Sequence, residues 1–278
     1  MNLQAAALCW QAEGRAAIVV EVSGHQGSVP RETGTRMLVG AREVLGTIGG
    51  GHLEWKAVEH ARALLAGADL ALEQRWPLGP ALGQCCGGMV SLRYQALAAS
   101  RPAEWDAPAP RFALQLYGAG HVGRAIVRLL EGIACRVQWI DEREEAFPAA
   151  PSAAHVERIH AEPVEAEVAS AAPGDFYLVL THSHDLDWRI SAEILRRGDF
   201  GFLGLIGSKT KRARFRHRFE ARGIDESVLA RMTCPIGLPG IVGKEPEVIA
   251  VSVVAQLLVA SGEARAEAPG SRQAVVAG

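Results

Sequence analysis

The sequence has no surplus of basic residues: 29 Lys and Arg stand against 31 Asp and Glu, a formal net charge of −2. A phosphate-neutralising surface for nucleic acid is therefore not expected, and only one short basic run breaks the balance. Also missing is any uncharged apolar run long enough to span a bilayer, so no membrane association is expected. The opening residues, MNLQAAALCWQAEGRAAIVVEV, have neither the basic start nor the apolar core of a signal peptide. Cysteines number five, an odd count without framework spacing, which argues against a secreted disulfide scaffold. Together these point to a cytoplasmic protein with reduced thiols. What is present is ample apolar content, 49% of residues, enough over 278 positions for one or two cored domains.

A composition break at ASRPAEWDAPAPR, residues 99–111, carries three prolines and little apolar content. It divides the chain into an N-terminal domain (1–100), a linker (101–110) and a second domain (111–262), with an Ala/Gly-rich tail (263–278) expected to fray. In the first domain AAIVVEVSG, TRMLVG, VLGTIGG and MVSLRYQAL read as strands, the middle two as hairpin arms. HLEWKAVEHARALLAG has the spacing of an amphipathic helix ended by Gly67. This is a smaller, mixed α+β domain. In the second, apolar strands (FALQLYG, RVQWID, DFYLVL, FGFLGLIG) alternate with helical stretches. That alternation predicts an α/β, doubly wound parallel sheet.

The chemistry-bearing motifs lie on the turns. YGAGHVGRA places Gly118, Gly120 and Gly123 in G-x-G-x-x-G spacing around His121, after a strand and before a helix, with Asp141 ending the next strand. That is the context of a Rossmann-type dinucleotide fingerprint, in which Asp141 would bind a ribose diol. A turn retained only for packing is the alternative. THSHDLD puts His182, His184, Asp185 and Asp187 at the carboxyl edge of the sheet. These read as pocket lining with Asp185 capping a helix; a zinc or iron site is the alternative. LIGSKTKRARF sets Ser208, Lys209 and Lys211 at a strand-to-helix turn, where cations suit a bound phosphate. In the first domain Gly49, Gly50 and Gly51 run into a helix at His52, an expected anion cradle in which Glu54 is ordinary capping chemistry. Arg31 and Arg36 could hold an acid. Cys85 and Cys86, followed by Gly87 and Gly88, sit on a loop where small core fillers have little purpose. They fit a thiolate that meets a soft metal or accepts sulfur. Cys234 reads as a small core residue.

Taken jointly, GSVPRETGTRMLV, GTIGGGHLEW, GQCCGGMV, GAGHVG, THSHDLD, LIGSKTKRARF and CPIGLPGIVGKEPEVIA resemble the xanthine dehydrogenase accessory protein family (XdhC, within the wider XdhC/CoxI group) over nearly the whole chain. The wider group often has Ser-Gly-Gly-Cys where this chain has Gly49-Gly50-Gly51-His52, and usually one cysteine before Gly-Gly. The resemblance therefore implies the xanthine dehydrogenase branch, with Cys86 the family thiol and Cys85 its neighbour. It implies a molybdenum cofactor chaperone that protects molybdopterin, supports its sulfuration by a cysteine desulfurase and delivers it to the molybdenum-binding subunit of xanthine dehydrogenase. A homodimer and a non-catalytic role are implied as well. Cys86 would ligate molybdenum or carry sulfur, and the glycine and basic loops would take the phosphate. Two other readings of the residues stay open: an NAD(P)-dependent oxidoreductase, and a metal-dependent hydrolase built on His182, His184 and Asp187.

Overall fold

The computed structural model describes residues 3–78, 88–105 and 109–267. Two compact units divide between Ala107 and Pro108. In the first, α1 (Leu3–Ala12) precedes β1 (Ala17–Gln26), β2 (Arg36–Gly40), β3 (Val44–Gly46), α2 (Gly51–Leu65), β4 (Glu73–Pro77) and β5 (Met89–Ala96). The strands form one sheet in the order β3-β2-β1-β5-β4, every pair antiparallel. Side chains alternate across a strand. Accordingly Ile18, Val20 and Val22 of β1 pack with Leu53, Ala57 and Ala61 of α2, while Ala17 and Val19 pack with Ala6, Ala7 and Trp10 of α1. The central strand is thus apolar on both faces, and a helix covers each.

The second unit holds β6 (Ala113–Tyr117), α3 (His121–Leu130), β7 (Arg136–Asp141), β8 (Val156–His160), β9 (Phe176–Val179), α4 (His184–Arg197), β10 (Phe202–Leu205), α5 (Lys209–Glu220), α6 (Glu226–Ala230), β11 (Met232–Thr233) and α7 (Pro246–Glu267). Its six-stranded sheet runs β11-β10-β9-β6-β7-β8, parallel throughout. One core joins this sheet to α4 and α5, the other to α3 and α7. The fold class expected from the sequence is the one observed. Strand order reverses between β6 and β9, and ligands of such sheets bind in the crevice beyond the strand ends there.

Several pieces differ from expectation. The segment expected as a linker begins with a 3-10 turn (Pro102–Glu104), and Gln4 Nε2 donates to the carbonyls of Pro102 (2.9 Å) and Trp105 (3.2 Å). Residues 102–105 therefore belong to the first unit. At the other end α7 continues to Glu267, so 263–267 are helical rather than frayed. By length and composition α7 over Pro246–Ala264 is the one helix among the described residues that could cross a membrane. Here Ala250, Val253, Val254 and Leu257 of that helix are core residues.

Candidate functional site

The turn after β6 assigns different work to each glycine of the fingerprint. Gly118 has φ +119, and a Cβ there would lie 2.4 Å from the Leu180 carbonyl oxygen. A Cβ at Gly123 would lie 2.1 Å from the carbonyl oxygen of Gly118. Both are required by backbone packing. Gly120 is extended, with no atom within 4 Å of a built Cβ. It caps α3 without a side-chain hydrogen bond, and among the described residues no acceptor meets the amides of His121, Val122 and Gly123. His121 itself is exposed. The first turn of α3 therefore presents unpaired donors at the carboxyl edge of the sheet, the arrangement that receives a phosphate.

Asp141 does not stand ready for a ribose. It is 5% exposed, and its oxygens accept from the amide of Ala119 (2.7 Å), the amide of Arg143 (3.0 Å), and Nε (2.9 Å) and Nη2 (3.0 Å) of Arg143. Burial pushes its pKa up, but the Arg143 and Ala119 donors outweigh that and hold it below the usual carboxylate range. The expected ribose acceptor is a structural carboxylate that pins the glycine turn. Nothing in the spacing of the motif signalled Arg143; the Asp-x-Arg sequence was the available clue.

His182 follows β9, and its Nε2 lies 3.4 Å from Oε1 of Glu142, which follows β7. Both line a narrow crevice with Tyr117, Gly118, Asp141 and Thr181. His184 is exposed at the first position of α4. The cap of α4 is Ser183, which accepts from the Leu186 amide, and not Asp185; Asp185 instead pairs with Arg189 at 3.4 Å. Asp187 points inward at 1% exposure. Its Oδ1 accepts from Thr181 N (2.9 Å) and Thr181 Oγ1 (2.7 Å), and its Oδ2 from Lys211 Nζ (2.6 Å). These partners leave Asp187 unable to join His182 and His184 around a metal, and no group of three or more possible ligands occurs among the described residues.

The basic turn is likewise divided. Ser208 caps α5, accepting from the Lys211 amide at 3.2 Å. Lys211 turns inward to Asp187 and to the carbonyl of Ile206 (2.8 Å), so its charge is not offered to a ligand. Lys209, Arg212 and Arg214 remain exposed. Arg218 and Arg222 lie over the Trp188 ring. Cys234 is buried, and burial pushes its thiol up despite the nearby Lys211 and Arg212 cations.

In the first unit the glycine turn is left-handed at Gly49 (φ 124), Gly50 (φ 74) and Gly51 (φ 66). The amides of Ile48, Gly49 and Gly50 are taken, whereas those of Gly51 and His52, in the first turn of α2, meet no acceptor among the described residues. Glu54 reaches back from α2, and its Oε2 accepts from Thr47 Oγ1 (2.5 Å), Ile48 N (2.9 Å) and Gly50 N (3.0 Å). Burial would raise this carboxyl, yet the hydrogen bonds, that from Thr47 first among them, hold it below the usual range. His52 is exposed and packs on Trp55, ring centroids 5.4 Å apart. Arg36 is taken by Glu21 at 2.8 Å, while Arg31 is exposed. Cys85, Cys86 and Gly87 lie outside the described residues. Gly88 is described: a Cβ there would lie 2.4 Å from the Ser28 carbonyl oxygen, and its own carbonyl accepts from Leu78 at 2.7 Å. Pro30 in turn packs against Gly49, 2.7 Å from a built Cβ. The base of the β4–β5 hairpin and the glycine turn therefore flank one loop, residues 27–35, at one end of the antiparallel sheet.

Comparison with known proteins agrees with this architecture. A family model described as the XdhC Rossmann domain matches residues 114–257, and one described as the XdhC and CoxI family matches residues 10–74. The Escherichia coli (strain K12) protein YqeB, described as uncharacterized, is 28% identical over 255 residues. The match takes in 86% of this chain but 42% of YqeB, so the chain spans less than half of that relative's length. A crystal structure from Bacillus halodurans, reported as a xanthine dehydrogenase, shares the fold with a TM-score of 0.69 over 98% of each chain, at 19% identity. With the Rossmann-domain match alone extending over more than half its length, the chain belongs to the XdhC and CoxI family.

Proposed function

We propose that this chain is an accessory protein of xanthine dehydrogenase that binds molybdenum cofactor as cargo, shields it, supports its sulfuration by a cysteine desulfurase and delivers it to the molybdenum-binding subunit. One observation carries the reading: the first turn of α3 offers unpaired amides beside an open Gly120 at the strand-order reversal. Molybdopterin ends in a phosphate, which such a turn binds by backbone donors and helix dipole together. The exposed Lys209 and Arg212 add positive charge at the same sheet edge. Cys86 is proposed as the thiol that meets the molybdenum end. The role proposed is binding rather than catalysis; Asp187 is engaged with Lys211 and Asp141 with the glycine turn. A homodimer in the cytoplasm is part of the same proposal.

The test is purification from a host with intact molybdenum cofactor synthesis, followed by oxidation of any bound pterin to its fluorescent derivative. The wild-type chain is expected to carry the pterin and to activate the apo-dehydrogenase. Gly120→Val, which fills the open space over the turn, is expected to lose both while keeping its melting temperature. A wild-type chain without pterin, or a folded Gly120→Val variant with full occupancy, overturns the proposal.

A further inference from the structure

In a Rossmann unit that binds a dinucleotide, the acid ending the second strand accepts from the adenosine ribose diol. A carboxylate offers about four acceptor directions. Asp141 has all of them filled by the chain itself: the Ala119 amide on Oδ2, and the Arg143 amide, Nε and Nη2 on the two oxygens, all at 2.7–3.0 Å. For a ribose to reach it, the guanidinium of Arg143 would have to leave a carboxylate that is 5% exposed. Charge-assisted, bidentate bonds of this kind are the strong ones.

We infer that Arg143 sets the ligand class of this unit: a phosphate-bearing ligand without a ribose diol at the end of β7, and not a nicotinamide dinucleotide. The inference rests on the proposed phosphate site at α3 and specifies what that phosphate is attached to. Arg143 is here a specificity-determining residue, acting through the carboxylate it occupies.

The experiment titrates the full chain with NADH and NADPH, followed by nicotinamide fluorescence, for wild type, Arg143→Leu and Arg143→Lys. Wild type is expected to bind neither below about 1 mM. Arg143→Leu frees two acceptor directions on Asp141, and NADH affinity is expected to rise at least about tenfold, since a diol then finds a partner for its hydroxyls. Arg143→Lys keeps the cation but loses the planar fork, and a smaller gain is expected. Micromolar binding of NADH by wild type overturns the inference. So does micromolar NADPH binding, which would make Arg143 a receptor for a 2′-phosphate. A folded Arg143→Leu variant without gain overturns it too; if that variant does not fold, an Arg143→Lys titration identical to wild type does the same. Pterin retention by the wild-type chain is read separately, so failure of the chaperone proposal and failure of this inference give different results.

Discussion

Gly118, Gly120 and Gly123 share one motif and have three different surroundings. Substituting Ala at Gly118 drives a Cβ to 2.4 Å from a carbonyl oxygen in a left-handed backbone; at Gly123 the approach is 2.1 Å. Each is expected to cost at least about 2 kcal/mol, read as a fall in the urea midpoint. Gly120→Ala meets nothing and should stay within about 0.5 kcal/mol of wild type. Glu54 supplies a pH-dependent case. Its pKa is depressed in the folded chain, so its contribution is fully present above the ordinary Glu value of about 4.3 and is lost as pH falls through the folded value. Glu54→Gln is therefore expected to be less stable than wild type at pH 7, with the gap closing below about pH 4 as measured by denaturant unfolding at each pH. The motif spacings exposed the turns in the sequence but not their occupants. Which donors satisfy Asp141, Asp187 and Glu54 is decided by side chains that fold back, Arg143 from two positions on and Lys211 from the next helix, and no periodicity reports that.

At the scale of elements, the carboxyl edge is stitched by one buried ion pair. Lys211 of α5 and Asp187 of α4, 10% and 1% exposed, meet at 2.6 Å, and Asp187 also fixes Thr181 at the end of β9. Removing one partner of such a pair strands a buried charge. Lys211→Met is expected to destabilise by about 3–5 kcal/mol. Adding Asp187→Asn should recover much of this, because Asn Oδ1 still accepts from Thr181; equal midpoints for the single and double variants would refute the stitch. Long apolar strands and the amphipathic helix were legible: AIVV of β1, FYLV of β9 and the α2 pattern all fell where the sequence predicts. Missed were α1, β4, β8 and β11. The strands β4 (EQRWP) and β8 (VERIH) are short, polar sheet edges, and β11 has two residues. Such strands need half as much apolar surface as central ones, so their signal is weak. In α1 the contact face is built from Ala6, Ala7 and Trp10, too small a set for a strong helical period.

For the whole molecule, the two units reach stability by different routes: an antiparallel sheet with a helix on each face, and a parallel sheet wound by crossovers. The antiparallel unit hides a long-range dependence. Its central strand β1 pairs with β2 nearby in sequence on one side, but on the other with β5, Ile18 opposite Ala96 and Gln26 opposite Met89. A chain grows from its N-terminus, so during synthesis β1 waits with one edge unpaired until β5 has been made. That edge carries Ala17, Ile18, Val19 and Val20, all buried once the sheet closes and all sticky before. Loop closure over so many residues is also slow. Pairing of β5 with β1 is consequently the step that closes this sheet. A chain stalled on the ribosome before Met89 would hold an open, valine-rich edge in a crowded cell.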